Sequence, residues 1–191
     1  TTFGSISALG EMRFIKKLTA SSSATVSFVD GTSDVVLDDT YKEYLFTFNN
    51  IHPATDNVTL SFQANVAGGS GYNETMTTTY ITAYHSEADS TGFEYTDASD
   101  QAQGTSFQAL LHGLGNGNDE SASGYLHLFN PSSTVAVKHF MSVSNHLHYQ
   151  DISFNHYVAG YFNTTSAIDE IQFKMSSGNM DAGDICLYGI N

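Results

Sequence analysis

The chain has 191 residues, 40% hydrophobic and 13% aromatic, which is enough to bury a core without disulfides or metal and too apolar for a disordered chain. Twenty Asp and Glu against six Lys and Arg leave a net charge of -14. That charge repels phosphate backbones and anionic lipid, so nucleic acid and membrane are excluded as expected partners and the surface reads first as a soluble one.

The first twenty residues differ from the rest. "TTFGSISALG" is small and weakly periodic, and "EMRFIKKL" then holds Arg13, Lys16 and Lys17, half of the basic side chains. Two readings stand: a first strand with a frayed end, or a short extended N-terminal arm. In the second, Arg13, Phe14, Lys16 and Lys17 dock on an acidic partner or a neighbouring subunit. No charged start precedes an apolar block, so a secretory leader is not expected. No run approaches the ~18 apolar residues of a membrane-spanning helix.

From residue 21 to 191 the dominant signal is period two, and this stretch reads as one domain. "ATVSFV" aligns Val26 with Phe28, and "EYLFTFNNI" aligns Tyr44, Phe46 and Phe48. "VTLSFQANV" puts Val58, Leu60, Phe62, Ala64 and Val66 on one face and Thr59, Ser61, Gln63 and Asn65 on the other. "MTTTYITAYH", "FQALLHG", "GYLHLFN", "IQFKMSS" and "DICLYGI" behave alike. Turn sequences such as "VDGTSD", "NIHPATDN", "GLGNGNDESASG" and "SSGNMDAGD" separate them at roughly ten-residue spacing. One short helical turn is predicted at "TTSAIDE", capped by Thr165 or Ser166. The expected fold is an all-β antiparallel β-sandwich of jelly-roll-like character, since no segment suits a crossover helix.

The densest chemistry lies in "SVSNHLHYQDISFNHY", with His146, His148 and His156. Alternation puts Lys138, Phe140, Ser142, Ser144, His146 and His148 on one face and Met141, Val143, Asn145 and Leu147 on the other. The apolar set reads as the core side, which sends His146 and His148 to the wetter face. An H-x-H pair on a strand offers two ligands, and zinc needs a third and usually a fourth, so no metal or cofactor is expected. His146 and His148 remain the candidate ligands, against a reading as an outer wall or a subunit contact. His156, alternating with Ile152, Phe154 and Val158, is predicted to face inward, away from the pair. His127 and His139 read as core or interface residues.

Elsewhere the sequence offers little catalysis. Asp119 with Glu120, and Asp89, Glu94, Asp97 and Asp100, match no calcium loop. There is no tryptophan to floor a sugar cleft, and no G-x-S-x-G, P-loop or H-E-x-x-H. Cys186, the one cysteine, sits in an apolar run as an inert thiol. Sequons at Asn57, Asn73 and Asn163 mark exposed turns.

Four co-linear segments carry a resemblance: "LTASSSATVSFVDG", "YKEYLFTFNNIHPATD", "SGYLHLFNPSSTVAVKHF" and the ending "AIDEIQFKMSSGNMDAGDICLYGI". Together they resemble virion surface proteins of tailed bacteriophages of the marine and cyanophage type, over about Leu18 to Ile190. The resemblance implies a non-enzymatic structural protein on the exterior of the particle, acting as a homo-oligomer, a trimer by expectation. It brings no catalytic residues. A capsid decoration (cement) protein that contacts the major capsid protein or another virion protein is the favoured station, because no repetitive shaft is present. The alternative is the receptor-binding tip of a tail fibre, meeting a host surface glycan. A metal-dependent β-barrel enzyme built on His146 and His148 is the remote alternative.

Overall fold

The computed structural model describes residues 11–191. Among them lie thirteen strands: β1 (Met12–Thr19), β2 (Val26–Val29), β3 (Glu43–Pro53), β4 (Val58–Val66), β5 (Met76–Ser86), β6 (Thr91–Tyr95), β7 (Ala102–Gly104), β8 (Gln108–Leu114), β9 (Ala122–Phe129), β10 (Lys138–His148), β11 (Ile152–Phe162), β12 (Ile168–Met175) and β13 (Met180–Ile190). Every pairing between them is antiparallel. The all-β antiparallel fold is therefore the one expected. No helix forms at "TTSAIDE": Ile168, Asp169 and Glu170 enter β12 instead, because Ile168 and Ile171 are both needed in the core. The charged stretch after Ser86 supplies two short strands, β6 and β7, that period-two reading missed.

The strands form two facing layers. One runs β1-β13-β3-β9-β10-β11-β5, with β6 and β7 both on β5. The other runs β8-β4-β12-β2 and joins the first through one ladder pair, His148 with Leu114. Aromatic contacts fix the facing. Phe62 of β4 meets Phe140 of β10 and Phe162 of β11, with ring centroids 5.0 and 6.0 Å apart. Phe173 of β12 meets Phe46 and Phe48 of β3 at 5.5 and 5.3 Å. These edge-on packings fill the space between layers with rings that each remove a large apolar area from water.

The alternation read from the sequence places most of this core. Phe28, Tyr44, Phe46, Phe48, Leu60, Phe62 and Ala64 are buried as expected. The polar face of β4 is buried too. Gln63 Nε2 donates to the Glu74 and Ser106 carbonyls at 3.0 and 3.1 Å, so loops satisfy its amide.

Residues 12–19 of the predicted arm are an edge strand, β1, on β13. Residues 1–10 of that arm lie outside the described residues.

Candidate functional site

β10 has the opposite sidedness from the one expected. Ser142, Ser144, His146 and His148 are buried, while Met141 is 56% exposed and Val143, Asn145 and Leu147 face outward. The reading of His146 and His148 as an outer wall or subunit contact is thereby corrected. The turn to β11 is the physical reason. Asp151 N–H donates to the His148 carbonyl at 2.9 Å, with Asp151 in the left-handed region at φ 58°. This three-residue connection locks His148 opposite Ile152, Ser144 opposite His156 and Ser142 opposite Val158. Once His156 and Val158 face the core, every even-numbered residue of β10 must follow.

The result is a cluster of four imidazoles between the layers, three of them buried and His112 half-buried at its edge. His146 and His156 have ring centroids 5.3 Å apart, and His146 and His148 6.1 Å. The fourth, His112 of β8, comes from the other layer and lies 4.7 Å from His156. Tyr80 of β5 and Phe154 of β11 close the sides, with Tyr80 5.3 Å from His156 and Phe154 4.8 Å from His148. His156 thus faces inward as predicted, but it joins the pair. His112 was missed because an isolated histidine in "FQALLHG" carries no local signal; only the packing of the two layers brings it in. Gly113 makes room for that packing. At φ 77° it suits glycine, and a Cβ there would strike the His148 ring.

The cluster is polar yet sparsely bonded. Both ring nitrogens of His146, Nε2 of His156 and the Tyr80 hydroxyl are buried with no hydrogen-bond partner in the protein. His156 Nδ1 lies 3.3 Å from Thr82 Oγ1, and His148 Nδ1 accepts from the Gln150 N–H at 3.3 Å. Burial, reinforced by neighbouring imidazoles, pushes His146 down to about 3 and His156 to about 2. Burial also lowers His112 and His148, opposed in part by Glu94 and Asp56 respectively. All four are therefore neutral imidazoles at pH 7.

Neutral imidazoles are the metal-binding form, so ligand geometry decides. His146, His156 and Phe154 stack with planes 9° to 18° apart, which sets rings side by side. Among the described residues no three His, Cys, Asp or Glu side chains form a group that could hold a metal ion.

The outer face of the same strands is the second feature. Cross-strand rows run His127–Met141–Ala159–Thr79 and Tyr125–Val143–Tyr157–Ile81, the latter continuing to Tyr95 of β6. A third row runs Ser123–Asn145–Asn155–Ala83 to Phe93. The outward residues of β9, β10, β11, β5 and β6 include no Asp, Glu, Lys or Arg, in a chain of net charge -14. Phe93 is 75% exposed, and Tyr95, Tyr125 and Tyr157 are exposed beside it. A shallow groove of about 380 Å³ follows Tyr125, Met141, Val143, Tyr157 and Ile81, with Glu43 at its rim. His127 and His139 belong to this outer face, half-exposed and exposed, so the core reading does not hold for them.

The predicted partner residues Arg13, Phe14, Lys16 and Lys17 share β1 but only part of their capacity is uncommitted. Lys17 Nζ donates to Asp184 at 3.0 Å, Arg13 pairs with Glu11 at 3.1 Å, and Phe14 packs edge-on to Tyr188. Lys16 is half-buried. Cys186 is a buried free thiol, as predicted.

Compared with protein-family models, curated proteins and solved structures, the chain matches none.

Proposed function

We propose that the chain is a non-enzymatic structural protein on the exterior of a bacteriophage particle, working through contacts with its own copies and with a neighbouring virion protein. One observation carries this reading: the innermost histidines are closed off inside, and a broad apolar surface is outside. His146 and His156 are almost wholly buried, whereas Phe93, Tyr125, Met141 and Tyr157 stand on an uncharged sheet face. A catalytic centre needs titratable groups that a substrate can reach. A contact module needs a rigid sheet with an apolar outer surface rimmed by polar groups. The four co-linear segments that resemble phage virion surface proteins support the particle as the setting.

Capsid decoration is the favoured station within this reading. Arg13, Phe14 and Lys16 on the edge strand are the side chains offered to the major capsid protein, with Lys17 held by Asp184. The exposed pair Tyr125 and Tyr157 favours a second reading, a fibre tip that stacks tyrosines on host glycan rings. Antibody labelling and density maps of particles that encode the chain test both. Many copies on the head exterior are expected; copies confined to the tail tip favour the second reading. Absence of the chain from purified particles overturns both.

A further inference from the structure

We propose that the uncharged outer face of β9-β10-β11-β5-β6 is the contact between two copies of this chain, face against face. The inference rests on the reading of the chain as an assembling module and names the surface that does it.

Charge is the first argument. Two copies of a molecule with net charge -14 repel wherever acidic surfaces meet. An unlike, basic partner would be drawn to the acidic surface, and a neutral face does nothing to recruit it. A like-charged partner, and above all an identical one, is selected by a face from which charge has been removed. The three outward rows across these strands meet that condition without exception.

Composition and size are the second and third arguments. Tyr, Phe and Met are the side chains enriched at interface cores, and this face exposes Phe93, Tyr95, Tyr125, Met141 and Tyr157 together. Five strands about 4.8 Å apart and about nine residues long span roughly 600 Å² in plan. Side-chain relief raises the accessible area toward the ~800 Å² per partner of a standard stable interface. A sheet face that packs on itself closes a twofold contact, with Tyr157 and Met141 near its middle.

Sedimentation of the purified protein tests this, with Tyr157→Glu and Met141→Glu as disrupting variants. Val135→Glu, at an exposed loop position off the face, is the control. Circular dichroism and melting establish that each variant is folded, and if one fails to fold the other carries the test. The wild type and Val135→Glu are expected to assemble, and each glutamate on the face is expected to weaken assembly at least tenfold. A wild type that stays monomeric at about 100 µM, where even weak specific contacts populate, overturns the inference. So does a folded Tyr157→Glu or Met141→Glu that assembles like the wild type. Neither result depends on whether the chain sits on a phage particle, so failure here is distinct from failure of the localisation test.

Discussion

His146 on β10 and His156 on β11 lie with ring centroids 5.3 Å apart and planes 14° apart, and the Nε2 of each is buried without a partner. Two imidazoles in that relationship cannot both carry a proton without leaving a charge pair of like sign in an apolar interior.

Acid sensitivity follows, with a definite sign. In the unfolded chain these histidines protonate near pH 6.5, while in the fold His146 and His156 do so only near 3 and 2. Below pH 6.5 the unfolded state binds more protons, so stability falls with pH. Between pH 7 and pH 5 each of the two costs about 2 kcal/mol. Denaturant unfolding at pH 7 and pH 5 is expected to show that loss. His146→Phe removes two unsatisfied nitrogens, so it is expected to be neutral or stabilising at pH 7 and to remove its own ~2 kcal/mol from the loss between pH 7 and pH 5. An unchanged loss would mean that the cluster is solvated.

His52 runs the other way. Its Nδ1 is 2.8 Å from Asp181, and its Nε2 is 2.9 Å from the Gly117 carbonyl. Burial opposes protonation, but these partners outweigh it and raise His52 above its ordinary value. Its contribution is present below pH 6.5 and is lost as pH rises through the higher folded value. Accordingly, His52→Ala is expected to destabilise more at pH 5.5 than at pH 8.5, a comparison that thermal melts in two buffers provide.

Gly113 is the position where the two layers depend on a missing side chain. Gly113→Ala forces a Cβ into the His148 ring and keeps a left-handed backbone, at a cost of about 2–4 kcal/mol. The readout is the His148 ring resonance, expected to shift together with the loss of stability. A stable variant with an unmoved His148 signal contradicts the seam described here.

Phe62 reaches two aromatic neighbours across the sandwich, Phe140 and Phe162, and a third, Phe173, on the adjacent strand of its own layer. Phe62→Ala is expected to cost about 3–5 kcal/mol, measured by denaturant midpoint at constant slope. A cost below 1 kcal/mol would indicate that the two layers do not pack as described.

Much of the fold was legible because period two marks the core face of β2, β3 and β4, where Phe, Val and Leu alternate with other residues, although in β4 loops cover the polar face as well. β10 was not, because it is inverted. Met141, Val143 and Leu147 read as core by hydrophobicity, yet they lie outside, and the serines and histidines lie inside. A signal was nonetheless present. His156 was read inward beside Val158, and the tight "YQD" turn pairs Ser144 with His156 and His148 with Ile152. Carrying the hairpin register back across that turn puts His146 inside. His112 had no such signal, since its place in the cluster depends on the meeting of β8 with β10 and not on any local pattern. The uncharged outer face was equally hidden, because it emerges only when five strands are set side by side in register.

The outer face of β9-β10-β11-β5-β6 is the surface through which we propose that this protein works. An experimental structure of the assembled protein, in crystals or on a particle, tests it most directly. The expected result is Tyr125, Met141 and Tyr157 buried between copies, with His146 and His156 closed in the core behind them. A structure of the assembly in which those three side chains remain open to solvent, with copies joined elsewhere, would contradict it.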